Sequence, residues 1–324
     1  MIKSYITGFA RIGEQRELKK VLENYWSGKV EKSELLAVAT ELKARHWAYQ
    51  KDAGIDIISS NDFSFYDLIL DTIFALGVIP FRFKNLNGLE QYFAMARGNK
   101  SAVAMEMTKW FNTNYHYIVP EINKTSTFKL NAEKIIAEYN EAKSQGVKTK
   151  INLIGPITFL ALSKTTDGSC AFCHLDEILA SYEELLKEIS KLDDEILVQF
   201  DEPIFVTDKG DKLTSEISKV YDRLTSVASN VKIIFMTYFE HALKAVDEVL
   251  KTKIYGLGLD FIHGEKNKEA LAKIAASNVV LLAGIIDGRN VWKSDIDKKL
   301  ALVKEISSAL GGKDFAIGPS CSLL

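Results

Sequence analysis

The residues of this chain that could do chemistry sit in a few short stretches. "FDEP", residues 200–203, sets two carboxylates side by side in Asp201 and Glu202. Successive residues of a strand point to opposite faces, so these two would not meet one substrate atom. Glycoside hydrolysis needs two carboxyls about 5 to 9 Å apart, and Asp201 or Glu202 with Asp260 is the pair that could supply them. "CAFCH", residues 170–174, has the spacing of a c-type haem attachment, and its C-x-x-C is half of a zinc site. The plainer alternative is two loop thiols beside a histidine that opens a helix. Cys321, near the end of "DFAIGPSCSLL", is a candidate thiolate. Cations gather in "GEQRELKK", where Arg16, Lys19 and Lys20 enter the first turns of an amphipathic segment. A helix N-terminus already carries partial positive charge, so added cations there suit an anionic partner; a solvated basic face is the other reading. Lys109 stands among aromatic and amide side chains in "EMTKWFNTNYHY", residues 106–117.

Eight short apolar runs could carry such residues at their ends: 4–9, 56–60, 151–155, 196–203, 232–238, 255–262, 279–286 and 315–322. From the third onward they are almost continuously apolar, as strands covered on both faces should be. The segments between them have helical periodicity. "HLDEILASYEELLKEISKL", 174–192, lines up Leu175, Ile178, Leu179, Tyr182 and Leu186 on one stripe. "SDIDKKLALVKEISSALGG", 294–312, has a Ser/Asp start and a Gly-Gly stop. Eight such alternations predict an α/β fold, a (β/α)8 TIM barrel. A doubly wound sheet is the alternative, disfavoured by the missing Gly-rich first turn. Residues 61–150 form a large helical insertion after strand 2, expected on the C-terminal, functional face. No helical segment follows the last run, so the expectation for 1–324 is a single barrel domain with a missing final helix. The rim of that barrel would present Arg11, Asn61, Asp62, Asp201, Glu202, Thr237, Tyr238, Asp260, His263, Asp287, Arg289 and Cys321.

Composition narrows the class. The 324 residues are 47% apolar and 26% charged, a balance usual for soluble globular proteins. A net charge of −2 argues against general nucleic-acid binding. "MIKSYITGFARIG" has no secretory pattern, and no apolar run nears the ~18 to 20 residues of a membrane span. Three cysteines cannot all pair. The expectation is a reduced, cytoplasmic protein with neither nucleic acid nor membrane as partner.

In order along the chain stand "GFARIGEQRELKKVLENYWSGK", "EMTKWFNTNYHYIVPE", "LIGPITFL", "DEP", "TYFE", "AGIIDGRNVWK" and "SCSLL". Together, from residue 3 to the last, they resemble the N-terminal half of cobalamin-independent methionine synthase, the 5-methyltetrahydropteroyltriglutamate–homocysteine methyltransferase. The commonest family form has proline where Ala10 stands, and Gln15 replaces a basic residue of many members. The resemblance implies two (βα)8 barrels packed face to face. The C-terminal catalytic barrel would hold the zinc that activates homocysteine as a thiolate; no cofactor is implied for this half. The N-terminal barrel would bind the glutamate tail of 5-methyltetrahydropteroyltri-L-glutamate through Arg16, Lys19 and Lys109, with Gln15, Arg16, Glu17 and Leu18 forming the binding turn. It would be inactive alone; a stand-alone folate-polyglutamate-binding or interaction barrel is the alternative. The family's catalytic barrel draws its zinc ligands from a His-x-Cys pair, a Glu and a Cys. Phe235 and Thr237 stand where the first two would be, with Asp260 and Cys321 as vestigial ligand positions, so no zinc is expected in this half.

Overall fold

The computed structural model describes residues 2–323. Eight strands form, Ile2–Ser4, Ile58–Ser60, Thr149–Ile154, Ile196–Asp201, Val231–Met236, Gly256–Asp260, Val280–Ile286 and Phe315–Pro319; seven lie on the expected runs, while the first shares only Ser4 with the expected 4–9. All pair in parallel, in the order first, eighth, seventh, sixth, fifth, fourth, third, second. The two edges then meet. Tyr5 bridges Ile57, with Ile57 N–H donating to Ser4 O at 3.0 Å and Ile6 N–H to Ile57 O at 3.2 Å. Neighbours in sequence are neighbours in the sheet, which leaves no reversal of order and removes the doubly wound alternative. The sheet is curled into a TIM-like barrel.

Residues 5–9 depart from the expected first strand after Tyr5 for a polar reason. Thr7 O accepts Asn152 Nδ2 at 2.7 Å, Gln199 Nε2 at 2.9 Å and Lys150 Nζ at 3.3 Å. Buried side chains from two other strands thus satisfy a carbonyl that a longer ladder would have used.

Helices cover the outside. Leu175–Ile189 buries Leu175, Ile178, Leu179, Tyr182 and Leu186, the stripe read from the sequence. Ile296–Ala309 begins at Asp295, whose side chain accepts the Lys298 N–H, and ends before two positive-φ glycines, Gly311 and Gly312. The region after the second strand is not purely helical. It holds the helices Leu68–Leu76, Gly88–Arg97 and Glu133–Ser144, but also an antiparallel hairpin pairing Met107–Lys109 with His116–Ile118. Beyond the eighth strand the described chain runs to residue 323 without a helix. No helix among the described residues is long and apolar enough to cross a membrane.

Candidate functional site

The strand ends bring the carboxylates to one face but leave few of them available. Asp201 points into the barrel, where Gln199 Nε2 donates to Oδ1 at 2.7 Å and the Tyr238 hydroxyl to Oδ2 at 3.2 Å. Glu202 turns the other way, as strand alternation requires. Its carboxylate caps the helix Pro156–Leu162, accepting the Ile157 and Thr158 N–H groups at 3.1 and 2.7 Å and the Tyr221 hydroxyl at 3.0 Å. A Cβ on Gly155 would fall 2.2 Å from Glu202 Oε1, so only glycine admits this approach. Burial raises both carboxyls, that of Glu202 to about 7. Asp260 is spent as well: Oδ1 accepts Ile262 and His263 N–H at 2.7 and 2.9 Å, and Oδ2 accepts Phe239 N–H at 3.2 Å. With Glu202 and Asp260 committed to backbone donors, the glycosidase reading loses its second carboxylate.

The remaining ligand candidates fare no better. Burial first, then the Asp260 carboxylate, pushes the Cys321 thiol up to about 12, so it is no thiolate at neutral pH. The Phe235 ring packs 4.8 Å from Tyr221 and 5.6 Å from Phe205, facing the helices rather than the barrel interior. The Thr237 hydroxyl donates to Gly258 O at 3.1 Å. Zinc does not fit an outward phenylalanine, a carboxylate already holding three N–H donors and a protonated thiol. Among the described residues no cluster of three His, Cys, Asp or Glu side chains is placed to hold a metal. At "CAFCH" both His174 nitrogens are engaged, Nδ1 with Glu177 Oε2 at 2.6 Å and Nε2 with Asn123 O at 3.0 Å. That leaves neither for a haem iron.

The cationic turn is built differently. Gly13 adopts φ 81°, and a Cβ there would lie 2.8 Å from Leu42 Cδ2. Arg16 N–H donates to Gly13 O at 3.0 Å, and Arg16 takes left-handed backbone angles (φ 58°, ψ 38°) as the N-cap of the helix Glu17–Trp26. Leu18 is buried in the core, with its N–H donating to Ile12 O at 3.2 Å. The Glu17 carboxylate accepts the Gln15 N–H at 2.9 Å and pairs with Arg45. Its own N–H, then Arg45, hold that carboxyl below the usual range. Lys19 is exposed and, among the described residues, reaches only Glu23, at 3.8 Å. Gln15 and Arg16 are exposed, and the Arg16 guanidinium has no hydrogen bond or ion pair among the described residues.

Lys109 is exposed on the hairpin, opposite His116, again without a partner among the described residues. At the hairpin's root, Asp67 Oδ2 accepts Ile118 N–H at 3.1 Å while Oδ1 caps Leu68–Leu76 through Ile69 and Leu70 N–H at 2.8 and 2.9 Å. At its tip, the Phe111 and Phe239 rings lie 5.8 Å apart. The Arg289 guanidinium sits 5.3 Å over Phe239 and donates to Asn112 O at 2.9 Å. Phe111 (φ 51°) and Phe239 (φ 87°) hold left-handed angles that aromatic residues rarely adopt, and so do Arg16 and Asn61 (φ 59°). Such strain collects at functional sites. Nothing in the sequence marks these two phenylalanines, nor Asp67, as anchors.

Arg16, Lys19 and Lys109 do not touch one another among the described residues. Their segments are linked through Tyr66, whose carbonyl accepts the Arg11 guanidinium and whose hydroxyl approaches Met107 Sδ at 3.8 Å. A separate cavity of about 440 Å³ opens between Lys32–Asp52, Leu68–Leu76 and Glu133–Ser144, walled by Leu36, Phe65 and Phe74. Neither Arg16 nor Lys109 lines it.

Comparison with known proteins bears on the family and the fold. The family model described as the N-terminal domain of cobalamin-independent synthase matches residues 3–311. A 5-methyltetrahydropteroyltriglutamate–homocysteine methyltransferase of Desulforamulus reducens is 51% identical over 99% of this chain, which covers 42% of that protein. Its counterpart in Flavobacterium johnsoniae is 40% identical over 100% of this chain, again with 43% of the relative covered. The chain therefore spans less than half the length of these curated relatives. Among solved structures, a B12-independent methionine synthase from a Shewanella species superposes with a TM-score of 0.74 at 14% identity, covering 100% of this chain and 91% of that one. A putative one from Listeria monocytogenes gives 0.68 at 12%; at such identities the likeness speaks for the fold. The chain belongs to the cobalamin-independent methionine synthase family, as an N-terminal domain of it.

Proposed function

We propose that this chain is the tail-binding barrel of a two-barrel methyltransferase, which moves a methyl group from 5-methyltetrahydropteroyltri-L-glutamate to homocysteine and yields methionine. The observation that carries the reading is Arg16, exposed, fixed in left-handed backbone at a helix start and without a counter-charge among the described residues. A γ-linked glutamate chain offers the carboxylates that a guanidinium fork and a helix N-terminus accept. Lys19 and Lys109 add exposed charge, and Gln15 adds an exposed amide. Glu17 and Leu18 act as frame, one pinned to Arg45 and the other buried. Zinc and homocysteine belong to a C-terminal catalytic barrel, for which this half is a scaffold, and the half alone is inactive. Val291 and Trp292, 93% and 82% exposed beside the seventh strand's end, suit burial against such a second barrel. We read the enzyme as cytoplasmic, where its three free cysteines would stay reduced.

Each exposed ion pair is worth only ~0.2 to 1 kcal/mol. Arg16→Ala or Lys109→Ala in the full-length enzyme should therefore raise Kd for the triglutamate up to about five-fold, with the monoglutamate little affected. Equal effects on both would refute tail binding. Given both substrates, this chain alone should form no methionine, and turnover would sink the two-barrel reading. The second reading, a stand-alone folate-polyglutamate-binding barrel, rests on the same cations. It would gain if the gene encoded no second barrel after residue 324.

A further inference from the structure

Cys170 and Cys173 take no part in the tail-binding turn, the hairpin or the barrel interior. A short strand, Lys164–Thr165, pairs with Glu121–Ile122, and the chain then enters a 3-10 turn, Ala171–His174, that runs directly into the helix Leu175–Ile189. Cys173 N–H donates to Cys170 O at 3.1 Å, closing the turn across the pair. Residues joined by such a turn have Cα atoms within about 7 Å, inside the range a disulfide spans. Both thiols are exposed, unlike the buried Cys321. His174, tied to Glu177 and Asn123, fixes the turn from behind.

We propose that Cys170 and Cys173 form a thiol–disulfide exchange site, which reacts with a low-molecular-weight disulfide such as oxidised glutathione and closes to a reversible internal bond. Cys170 attacks first. The Cys173 thiol beside it, then the Cys173 and Phe172 N–H groups, lower its pKa, while the proximity of Cys170 raises that of Cys173. The Cys170 thiolate bonds to one sulfur of the small disulfide and expels the other as a thiolate with its electron pair. Cys173, giving its proton to water, then attacks the Cys170 sulfur and expels the second thiolate. Two protein thiols are oxidised, one small disulfide is reduced to two thiols, and the two released protons end on them.

Mapping by mass spectrometry tests this after the native chain is incubated with oxidised glutathione and quenched in acid. The peptide carrying both cysteines should be two hydrogens lighter with no glutathione attached, and Cys321 should be unmodified. Cys173→Ser should trap glutathione on Cys170, several-fold faster than Cys170→Ser traps it on Cys173. Glutathione retained on the wild-type pair, two free thiols after incubation, or equal trapping in the two variants overturns the proposal.

Discussion

Asp201 and Glu202 are adjacent in sequence and live in different surroundings. Alternation alone shows that they part company, but not where each goes. Glu202's partners, Ile157, Thr158 and Tyr221, come from segments far along the chain, and no local pattern announces them. Cys321 has the same history: a thiol at a strand end looks reactive until burial beside Asp260 is known. Exposed cations were easier to read, because Arg16, Lys19 and Lys109 depend on being left alone rather than on being met. Glu202→Ala would strip a helix start of its acceptor, leave the Tyr221 hydroxyl buried without a partner and open a void. A loss of about 2 to 4 kcal/mol is expected, read as a lower urea midpoint at unchanged m-value. A loss below that of a typical surface substitution would show that water takes over the cap.

Seven of the eight strands and the capped helices were legible because periodicity and capping are local properties. The first strand's early end was not, since it depends on side chains of Asn152, Gln199 and Lys150 reaching Thr7 O. The hairpin was hidden too. "EMTKWFNTNYHY" has no Asn-Gly or Asp-Gly turn, the strongest short-range hairpin signal. Its geometry is set instead by Asp67 at the root and the Phe111–Phe239–Arg289 cluster at the tip. Asp67 therefore joins two elements, capping one helix and holding the hairpin that carries Lys109. Asp67→Ala should cost about 1 to 3 kcal/mol of stability. It should also weaken triglutamate binding in the full-length enzyme although Asp67 is buried away from solvent. Hydrogen exchange checks the coupling: the Ile118 amide should exchange faster in the variant. Unchanged protection there would mean that the tip alone holds the hairpin.

At the scale of the whole barrel, the interior is unusually polar for a core and holds charge that the sequence did not reveal. Lys150, on a strand read as beginning one residue later, is fully buried and its pKa is lowered to about 8 by desolvation. Burial also raises Asp67 and Glu202 to about 7. An unfolded carboxyl titrates near ~4, so between those values the folded chain binds protons that the unfolded chain has released. The stability these two groups contribute is fully present below roughly pH 4 and is lost as pH rises through about 7. Lys150 acts only higher, where its lowered pKa makes stability climb again between about 8 and its unfolded value. Carboxyls held low act the other way: Asp167, at about 2, loses its contribution as pH falls from roughly 4 through that value, and Glu17 likewise on the acid side. The melting temperature should thus fall as pH is raised from roughly 5 to roughly 7.5. Asp67→Asn and Glu202→Gln should each flatten part of that slope whatever their effect on absolute stability. Calorimetry across this range decides the matter: a level or rising melting temperature in the wild-type chain would mean that these buried carboxyls remain ionised in the fold.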